Sequence, residues 1–151
     1  MKILILMRHG KAEAYASTDS ARPLTSSGKQ EVFSHTQKLV AKNIYPQLIL
    51  TSPLLRAQQT AEIVSQVLNF PFQTEINLDG RLSAKGLLDF AKQQLQHHDC
   101  IMLVGHNPNM SIAAGILCEQ YVVFDPATIM VFDVTDLSCP KVIYRSTYEH
   151  A

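Results

Sequence analysis

Hydrophobic residues along the chain fall into short continuous runs, separated by longer stretches with helical spacing. The runs Lys2–Met7, Leu48–Thr51 and Cys100–Val104 are almost entirely aliphatic. Such runs are typical of strands that are buried on both faces of a parallel sheet. A further short strand is predicted over Phe72–Ile76.

Helices are predicted between these strands. Thr25 can cap the first helix with its hydroxyl, and Val32, Thr36 and Leu39 keep one stripe of that helix inward. Ser52 followed by Pro53 favours a second helix start, because the serine oxygen can cap a free N–H and proline needs no donor there. The predicted helices cover about 25–43, 53–68, 84–96 and 108–117.

The pattern changes after Gly115. Segments 121–124, 128–134 and 141–146 are β-branched or aromatic and are separated by turn residues, which predicts antiparallel strands at a sheet edge. The alternation of strands and helices before that point predicts right-handed crossovers. We therefore expect one three-layer α/β domain over residues 1–151, with a mainly parallel central sheet, helices on both faces and antiparallel C-terminal edge strands.

Charge and cysteine content exclude several classes of protein. The 13 basic and 13 acidic residues balance, so no net field favours nucleic acid or an anionic membrane. The apolar run that ends at Met7 is too short for a signal peptide or a membrane span, which predicts a cytoplasmic protein. Cys100, Cys118 and Cys139 have the spacing of neither a disulfide framework nor a zinc site, and we expect free thiols and no metal.

The candidate site residues lie where three predicted buried strands end. Arg8 and His9 follow the first strand, Arg56 lies shortly after the second, and His106 follows the third. In an open α/β sheet these ends meet at one edge, where ligands bind. Guanidinium groups match phosphate oxygens in pairs, so two arginines beside two histidines indicate a site for a phosphoryl group.

Four motifs carry a resemblance to a known family. The segments LMRHGKA, DSARPLTSSG, TSPLLRAQQTA and LVGHNP occur in this order and cover most of the chain before the C-terminal strands. Together they resemble the histidine phosphatase superfamily, also called the RHG or phosphoglycerate-mutase-like family, and within it the small SixA-type phosphohistidine phosphatases. The resemblance implies the phosphoglycerate-mutase-like fold and chemistry without a metal or another cofactor.

The resemblance also implies roles for individual residues. His9 matches the nucleophile that becomes phosphorylated, and Arg8 and Arg56 match the arginines that bind phosphate. His106 matches the second histidine of the pocket, and Arg22 is similar to an additional anion contact. Purely structural roles stay open for three of them: Arg56 as a surface partner of Glu62 or Glu13, His106 as a helix cap, and Arg22 as a partner of Asp19.

The acid that would protonate the leaving group is less defined. In the family, members that act on phosphate esters use a carboxylate after the third strand, and the candidates here are Asp79 first and Glu75 second, with Asp19 as a further alternative. Larger members insert a long lid in this stretch, whereas only about seven residues separate Ile76 from the next predicted helix. An open cleft suits a phosphorylated protein side chain better than a small molecule, which a pocket normally encloses.

We therefore expect a monomeric phosphatase that hydrolyses phosphohistidine on a protein, such as a histidine-phosphotransfer domain, through phospho-His9 and releases phosphate ion. The alternatives are a small-molecule phosphomonoesterase and a non-catalytic module that binds phosphoproteins.

Two other patterns are expected to carry no chemistry. The segment from Cys139 to Ser146 has the residue spacing of cysteine-dependent phosphatases, but it lacks glycine and favours an extended strand. The remaining histidines are expected to be solvated surface residues: His35, His97, His98 and His150.

Overall fold

A computed structural model of the chain describes residues 1–146, which contain one six-stranded sheet flanked by helices. Two short 3-10 helices, Asp19–Ala21 and Ile76–Leu78, lie in the loops after the first and third strands. The main elements in chain order are β1 (Ile3–Arg8), α1 (Ser26–Ala41), β2 (Leu48–Thr51), α2 (Leu55–Leu68), β3 (Gln73–Thr74), α3 (Ala84–Leu95), β4 (Cys100–Gly105), α4 (Asn109–Cys118), β5 (Ile129–Asp133) and β6 (Lys141–Arg145).

The sheet is parallel except at one edge. Its strand order is β3-β2-β4-β1-β5-β6, with the first four strands parallel and β5 and β6 antiparallel. The predicted α/β class with antiparallel C-terminal strands is confirmed. Because β1, β2 and β4 run in the same direction, the residues that follow Arg8, Thr51 and Gly105 emerge at one edge of the sheet.

Helices cover both faces of the sheet. Side chains of a strand alternate between the two faces, and Leu4 and Leu6 of β1 belong to a core with α3 and α4, whereas Ile5 and Met7 belong to a core with α1 and α2. Each fully buried aliphatic side chain stabilises the fold by about 1.5–3 kcal/mol. This two-sided packing fixes the carboxyl ends of the central strands, on which the site depends.

Two predicted helix starts have different outcomes. The hydroxyl of Thr25 accepts a hydrogen bond from the Gly28 N–H at 2.9 Å, which confirms Thr25 as the N-cap of α1. The predicted start at Ser52 is wrong, because α2 begins at Leu55 and has no side-chain cap. Ser52 Oγ instead accepts from the Leu54 N–H at 3.2 Å within the turn that precedes the helix.

The predicted strands at 121–124 and 72–76 also differ from the structure. Segment 121–124 forms no strand, because the backbone of Phe124 is bound by side chains. Its N–H donates to Ser111 Oγ at 2.9 Å, and its carbonyl accepts from Arg8 and Asn107, each at 2.9 Å. The strand at 72–76 shortens to β3, since the Glu75 carboxylate accepts from a backbone N–H of the following 3-10 helix.

The predicted solvent exposure of the remaining histidines is only partly right. His35 is buried, and its Nδ1 lies 2.9 Å from Ser146 Oγ, so the prediction for this residue is wrong. Ser146, which follows β6, contacts the His35 ring on α1. Local sequence does not reveal such a long-range contact. His97 is exposed and His98 is half-buried, while His150 lies outside the described residues.

A transmembrane helix is not among the described elements. Within residues 1–146, every helix is too short or too polar to cross a bilayer.

Candidate active site

The residues that follow β1, β2 and β4 line one cleft at the carboxyl edge of the sheet. The cleft has a volume of about 330 Å³ and contains the four residues predicted to bind a phosphoryl group. Arg22, predicted as an additional anion contact, also lines it. The lining residues are Arg8, His9, Lys11, Ala12, Arg22, Arg56, His106, Asn107 and Pro126.

His9 is held in a single tautomer by the backbone. Its Nδ1 lies 2.7 Å from the carbonyl oxygen of Gly10. A carbonyl can only accept, so Nδ1 carries the proton and Nε2 keeps its lone pair. Only 7% of His9 is exposed, and its ring centre lies 5.0 Å from that of His106. The nitrogen of His9 that keeps a free lone pair is therefore Nε2.

The peptide at Gly10 is fixed from two sides. The Gly10 N–H donates to Thr60 Oγ1 at 3.0 Å, and the Thr60 hydroxyl donates to the Arg56 carbonyl at 2.8 Å. A Cβ at Gly10 would lie 2.7 Å from Cγ2 of Val32, which explains why this position needs glycine. One buried hydroxyl thus connects the backbone beside the nucleophile to the helix that carries Arg56.

Both histidines of the cleft are neutral in the folded protein. Burial, together with the charges of Arg56 and Arg8, lowers the pKa of His9 to about 3. Burial and the charge of Arg56 also lower the pKa of His106 to about 4, against an opposing effect of Asp19 and Asp79. A neutral imidazole at His9 is the form that can attack phosphorus.

Arg8 and Arg56 are held in similar ways. Nη1 of Arg8 donates to the Phe124 carbonyl at 2.9 Å, and Nη1 of Arg56 donates to the Asp19 carbonyl at 3.0 Å. Nη2 of Arg56 also donates to the Asp19 carboxylate at 3.3 Å. The Nε–H groups of both arginines are buried and have no partner among residues 1–146. Both guanidinium groups are therefore fixed at their Nη1 ends, and each keeps one N–H without a partner among residues 1–146.

His106 is held through one of its two ring nitrogens. Its Nε2 lies 2.7 Å from Ser52 Oγ, whereas its Nδ1 is buried and has no partner in the described part of the chain. Neighbouring Asn107 fixes the adjoining loop through Phe124 and Ser111. His106 therefore forms part of the cleft wall. A role as a helix cap alone would not explain this position.

The carboxylates near the cleft are bound to other groups. Asp79 pairs with Arg81 at 3.0 Å, and hydrogen bonds from Arg81 lower the pKa of Asp79. Asp79 does not line the cleft, and an ionised carboxylate cannot donate a proton, so its role as the acid stays a prediction. Glu75 accepts from the Asn77 N–H at 3.0 Å.

Asp19 connects the loop after β1 to two arginines. Its carboxylate accepts from Arg22 Nε at 3.0 Å and from Arg56 Nη2 at 3.3 Å. The charge of Arg56, followed by that of Arg22, lowers the pKa of Asp19, so it too is ionised. The acidic partner of Arg56 is therefore Asp19, and not Glu62 or Glu13.

Several residues of the site were not predicted from the sequence. Lys11 and Asn107 line the cleft, while Ser52 and Thr60 lie behind it and hold its walls. Lys11 and Asn107 directly follow the Arg-His-Gly and Gly-His segments, so adjacency alone could have indicated them. The roles of Ser52 and Thr60 depend on residues 54 and 50 positions away.

The structure offers no alternative site at Cys139. Cys139 is exposed, and the residues after Pro140 form β6 and not a phosphate-binding loop. Arg145 donates to the Val123 carbonyl at 2.7 Å. Within residues 1–146, no group of three or more potential metal ligands comes together.

A positively charged cleft with a buried, neutral imidazole is the arrangement expected of an enzyme that transfers phosphoryl groups through histidine. Residues 4–83 match the profile of the Histidine phosphatase superfamily (branch 1). The chain belongs to this superfamily.

Similar proteins agree with this assignment. The chain is 40% identical over 118 residues to Phosphohistidine phosphatase SixA of Escherichia coli strain K12, which covers 76% of this chain and 73% of that protein. It is 28% identical over 143 residues to the SixA homolog of Haemophilus influenzae, which covers 83% and 84% of the two chains. The crystal structure of the protein histidine phosphatase SixA with tungstate superposes with a TM-score of 0.81, at 27% identity and 95% coverage of both chains. The phosphoglycerate-mutase-like fold is thereby confirmed.

Proposed function

We propose that this chain hydrolyses phosphohistidine on a protein substrate through a covalent phospho-His9 intermediate. In the first step the lone pair of His9 Nε2 forms a bond to phosphorus, and the phosphorus–nitrogen bond of the substrate breaks. The leaving imidazole takes up a proton from solvent, which the proton released in the second step restores. In the second step water attacks phosphorus, the bond to Nε2 breaks, a water proton is released and inorganic phosphate leaves.

The observation that carries this proposal is a set of buried nitrogen atoms without partners, on residues that line one cleft with His9. Among the described residues, the buried side-chain nitrogen and oxygen atoms without a partner are Arg8 Nε, Arg56 Nε and His106 Nδ1. A buried polar group without a partner costs about 1–3 kcal/mol, and more when it is charged. The equatorial oxygens of a phosphoryl group are acceptors that would satisfy the Nε–H groups of Arg8 and Arg56, and also His106 when its Nδ1 carries the ring proton, beside the nucleophilic Nε2 of His9.

The ionisation of the nearby carboxylates indicates which leaving group suits the site. Asp19 and Asp79 both have lowered pKa values because of arginine partners, which disfavours either one as a proton donor. A phosphate ester needs a proton on its leaving alkoxide, whereas an imidazole departs readily. Phosphohistidine therefore suits this site better than an ester, and two similar proteins carry phosphohistidine phosphatase names.

The surroundings of the cleft favour a protein as the carrier of the phosphohistidine. Only five residues, 79–83, connect the 3-10 helix to α3, so this connection is too short for a long lid. An apolar hollow of about 540 Å³ adjoins the cleft at Asn107, between α4 and segment 120–123. Ile112 and Val123 in this hollow are 50% and 45% exposed. Exposed apolar surface of this kind is typical of protein contacts.

The remaining assignments belong to the same proposal. Arg22 would contribute an additional positive charge to the phosphoryl group, because it lines the cleft and is anchored by Asp19. A histidine-phosphotransfer domain is a suitable partner, since it presents a single phosphorylated histidine on its surface. A monomeric state and a cytoplasmic location are predictions from the sequence.

The central test is to trap the intermediate. Incubation with a protein labelled with ³²P on its histidine, followed by alkaline denaturation, should leave an acid-labile label on this chain. His9→Ala should remove both the label and the phosphate release, while keeping the melting temperature near that of the wild type. Stoichiometric phosphate binding without a label would instead support a non-catalytic phosphoprotein-binding module.

A second experiment tests the substrate class. Rates on a phosphorylated histidine-phosphotransfer domain are compared with rates on free phosphohistidine and on sugar phosphates. A preference of ~10²-fold or more for a sugar phosphate, expressed as a ratio of kcat/KM values, would replace the proposal with a small-molecule phosphomonoesterase.

The apolar hollow supplies a matched pair of variants for this comparison. Ile112→Gln should lower activity on the phosphorylated domain and leave activity on free phosphohistidine unchanged. Phe33→Gln, at a 48% exposed position on α1 against the opposite face of the sheet, should change neither. An equal loss on both substrates for Ile112→Gln would contradict a protein contact at the hollow.

A further inference from the structure

The ring of His106 contacts a buried serine that does not line the cleft. Ser52 Oγ is 2.7 Å from His106 Nε2, and Ser52 is fully buried and does not line the cleft. The other ring nitrogen, Nδ1, is buried without a partner among residues 1–146. With Nε2 occupied by the hydroxyl, Nδ1 is the nitrogen of His106 that is left for a ligand.

The donors and acceptors around Ser52 Oγ distinguish the two tautomers of a neutral His106. Ser52 Oγ already accepts from the Leu54 N–H at 3.2 Å, and its hydroxyl has one proton to donate. If Ser52 donates that proton to Nε2, both the hydroxyl and Nε2 are satisfied, and the ring proton lies on Nδ1. If Nε2 carried the ring proton, the hydroxyl proton would need a different acceptor, and none is found among the described contacts of Ser52.

Binding of a phosphoryl group at Nδ1 of His106 favours the same Nδ1–H tautomer. A bare Nδ1 would turn a lone pair toward phosphoryl oxygens, whereas an Nδ1–H donates to them. The groups that act electrostatically on His106 are Arg56 and Arg8, which disfavour a charged ring, and Asp19 and Asp79, which favour it, with the His9 ring 5.0 Å away. Because their combined effect with burial keeps His106 neutral, the position of its single proton decides whether it can donate.

We propose that Ser52 is a positioning residue that holds neutral His106 as its Nδ1–H tautomer, so that an uncharged ring donates a hydrogen bond to the phosphoryl group. This inference rests on the proposed function for its ligand, and on the contacts of Ser52 and His106 for the tautomer. It gives the phosphoryl group three donors from the ends of different strands: Nε–H of Arg8, Nε–H of Arg56 and Nδ1–H of His106.

The tautomer can be measured directly in the wild-type protein. Two-bond ¹⁵N–¹H correlation spectra of a [¹⁵N]histidine-labelled sample at pH 7.5, with inorganic phosphate present, distinguish an Nδ1–H ring from an Nε2–H ring. The signals of His106 are assigned by their loss in His106→Gln. We expect the Nδ1–H pattern. An Nε2–H pattern, or an even mixture of the two, would overturn the inference.

A variant then tests whether Ser52 is the cause. Ser52→Ala should leave His106 in a mixture of tautomers and lower kcat roughly tenfold, less than the ~10² to 10³ that follows removal of an oxyanion donor. Thr36→Val removes an equally buried hydroxyl from α1 and should change neither the spectrum nor kcat. A pure Nδ1–H pattern in Ser52→Ala would mean that another group sets the tautomer.

The two proposals fail in different ways. A chain that never acquires a label on His9 would lose the proposed function, while the spectrum of His106 would still report its tautomer. An Nε2–H ring in a chain that does form phospho-His9 would contradict only the role of Ser52. If Ser52→Ala does not fold, the wild-type spectrum decides the question alone.

Discussion

We expect His9 to remain an active nucleophile at pH 5, where an ordinary histidine is almost fully protonated. At the reference pKa of 6.5, about 3% of a histidine is neutral at pH 5. With the pKa of His9 lowered to about 3, nearly all of it is neutral at that pH. A lowered pKa preserves the neutral form as the pH falls, so loss of the nucleophile is expected only as the pH approaches about 3.

The assay needs a reference reaction, because the phosphoryl donor also titrates. Phosphoramidate can phosphorylate both the enzyme and N-acetylhistidine in free solution, and both rates are measured from pH 7.5 to pH 5. Division of the rate for His9 by the rate for N-acetylhistidine removes the ionisation of the donor. Because the free imidazole loses about 97% of its neutral form at pH 5, this ratio should rise roughly 30-fold.

A ratio that stays constant over this range would refute the reasoning. It would mean that His9 titrates like a solvated histidine, and therefore that burial beside Arg8, Arg56 and His106 does not disfavour its charge. Phosphoenzyme formed by His9→Ala under the same conditions supplies the baseline. A label that persists in this variant would show that another residue accepts the phosphoryl group.

Three substitutions test other parts of the site. Arg56→Lys should lower kcat/KM by ~10²-fold, because one ammonium cannot bind both Asp19 and a phosphoryl oxygen; Arg145→Lys, at an exposed β6 position, should be nearly neutral. Thr60→Val should lower the melting temperature and kcat together, since it leaves the Gly10 N–H without its acceptor at a cost of about 1–3 kcal/mol. Cys139→Ser should keep full activity. Wild-type rates in Arg56→Lys, an unchanged melting temperature in Thr60→Val, or inactivity of Cys139→Ser would each contradict the assigned role.

The sequence was sufficient to predict which residues form the site. Arg8, His9, Arg56 and His106 each lie within a few residues of the carboxyl end of a buried strand. A parallel sheet brings those ends to one edge whatever the details of packing, so strand pattern and topology together determine which side chains meet. The prediction depended on features that are local in the chain, namely aliphatic runs and the residues directly after them.

The same local reasoning was wrong where residues far apart in the chain contact each other. Ser52 resembles a helix cap, but its hydroxyl also bonds to a histidine 54 residues away. Segment 121–124 has strand composition, yet Arg8, 116 residues away, and Asn107 take up the carbonyl of Phe124. His35 is polar and buried, and its ring contacts Ser146, 111 residues away. None of these contacts has a sequence pattern, because each depends on where separate elements come to lie.

The contacts that escaped prediction determine how the site residues are oriented. Backbone carbonyls at Asp19 and Phe124 bind the Nη1 ends of the two arginines, and the Gly10 carbonyl fixes the proton of His9. Arg8 and His9 are held by partners that contribute only a backbone carbonyl, whereas Asp19 holds Arg56 through both its carbonyl and its carboxylate. Sequence motifs therefore identify side chains that line the cleft, whereas the direction in which those side chains point is fixed by the fold. This division explains why Asp79, chosen by its position in the chain, lies with Arg81 and outside the cleft, while Asp19 holds the arginine on which the site depends.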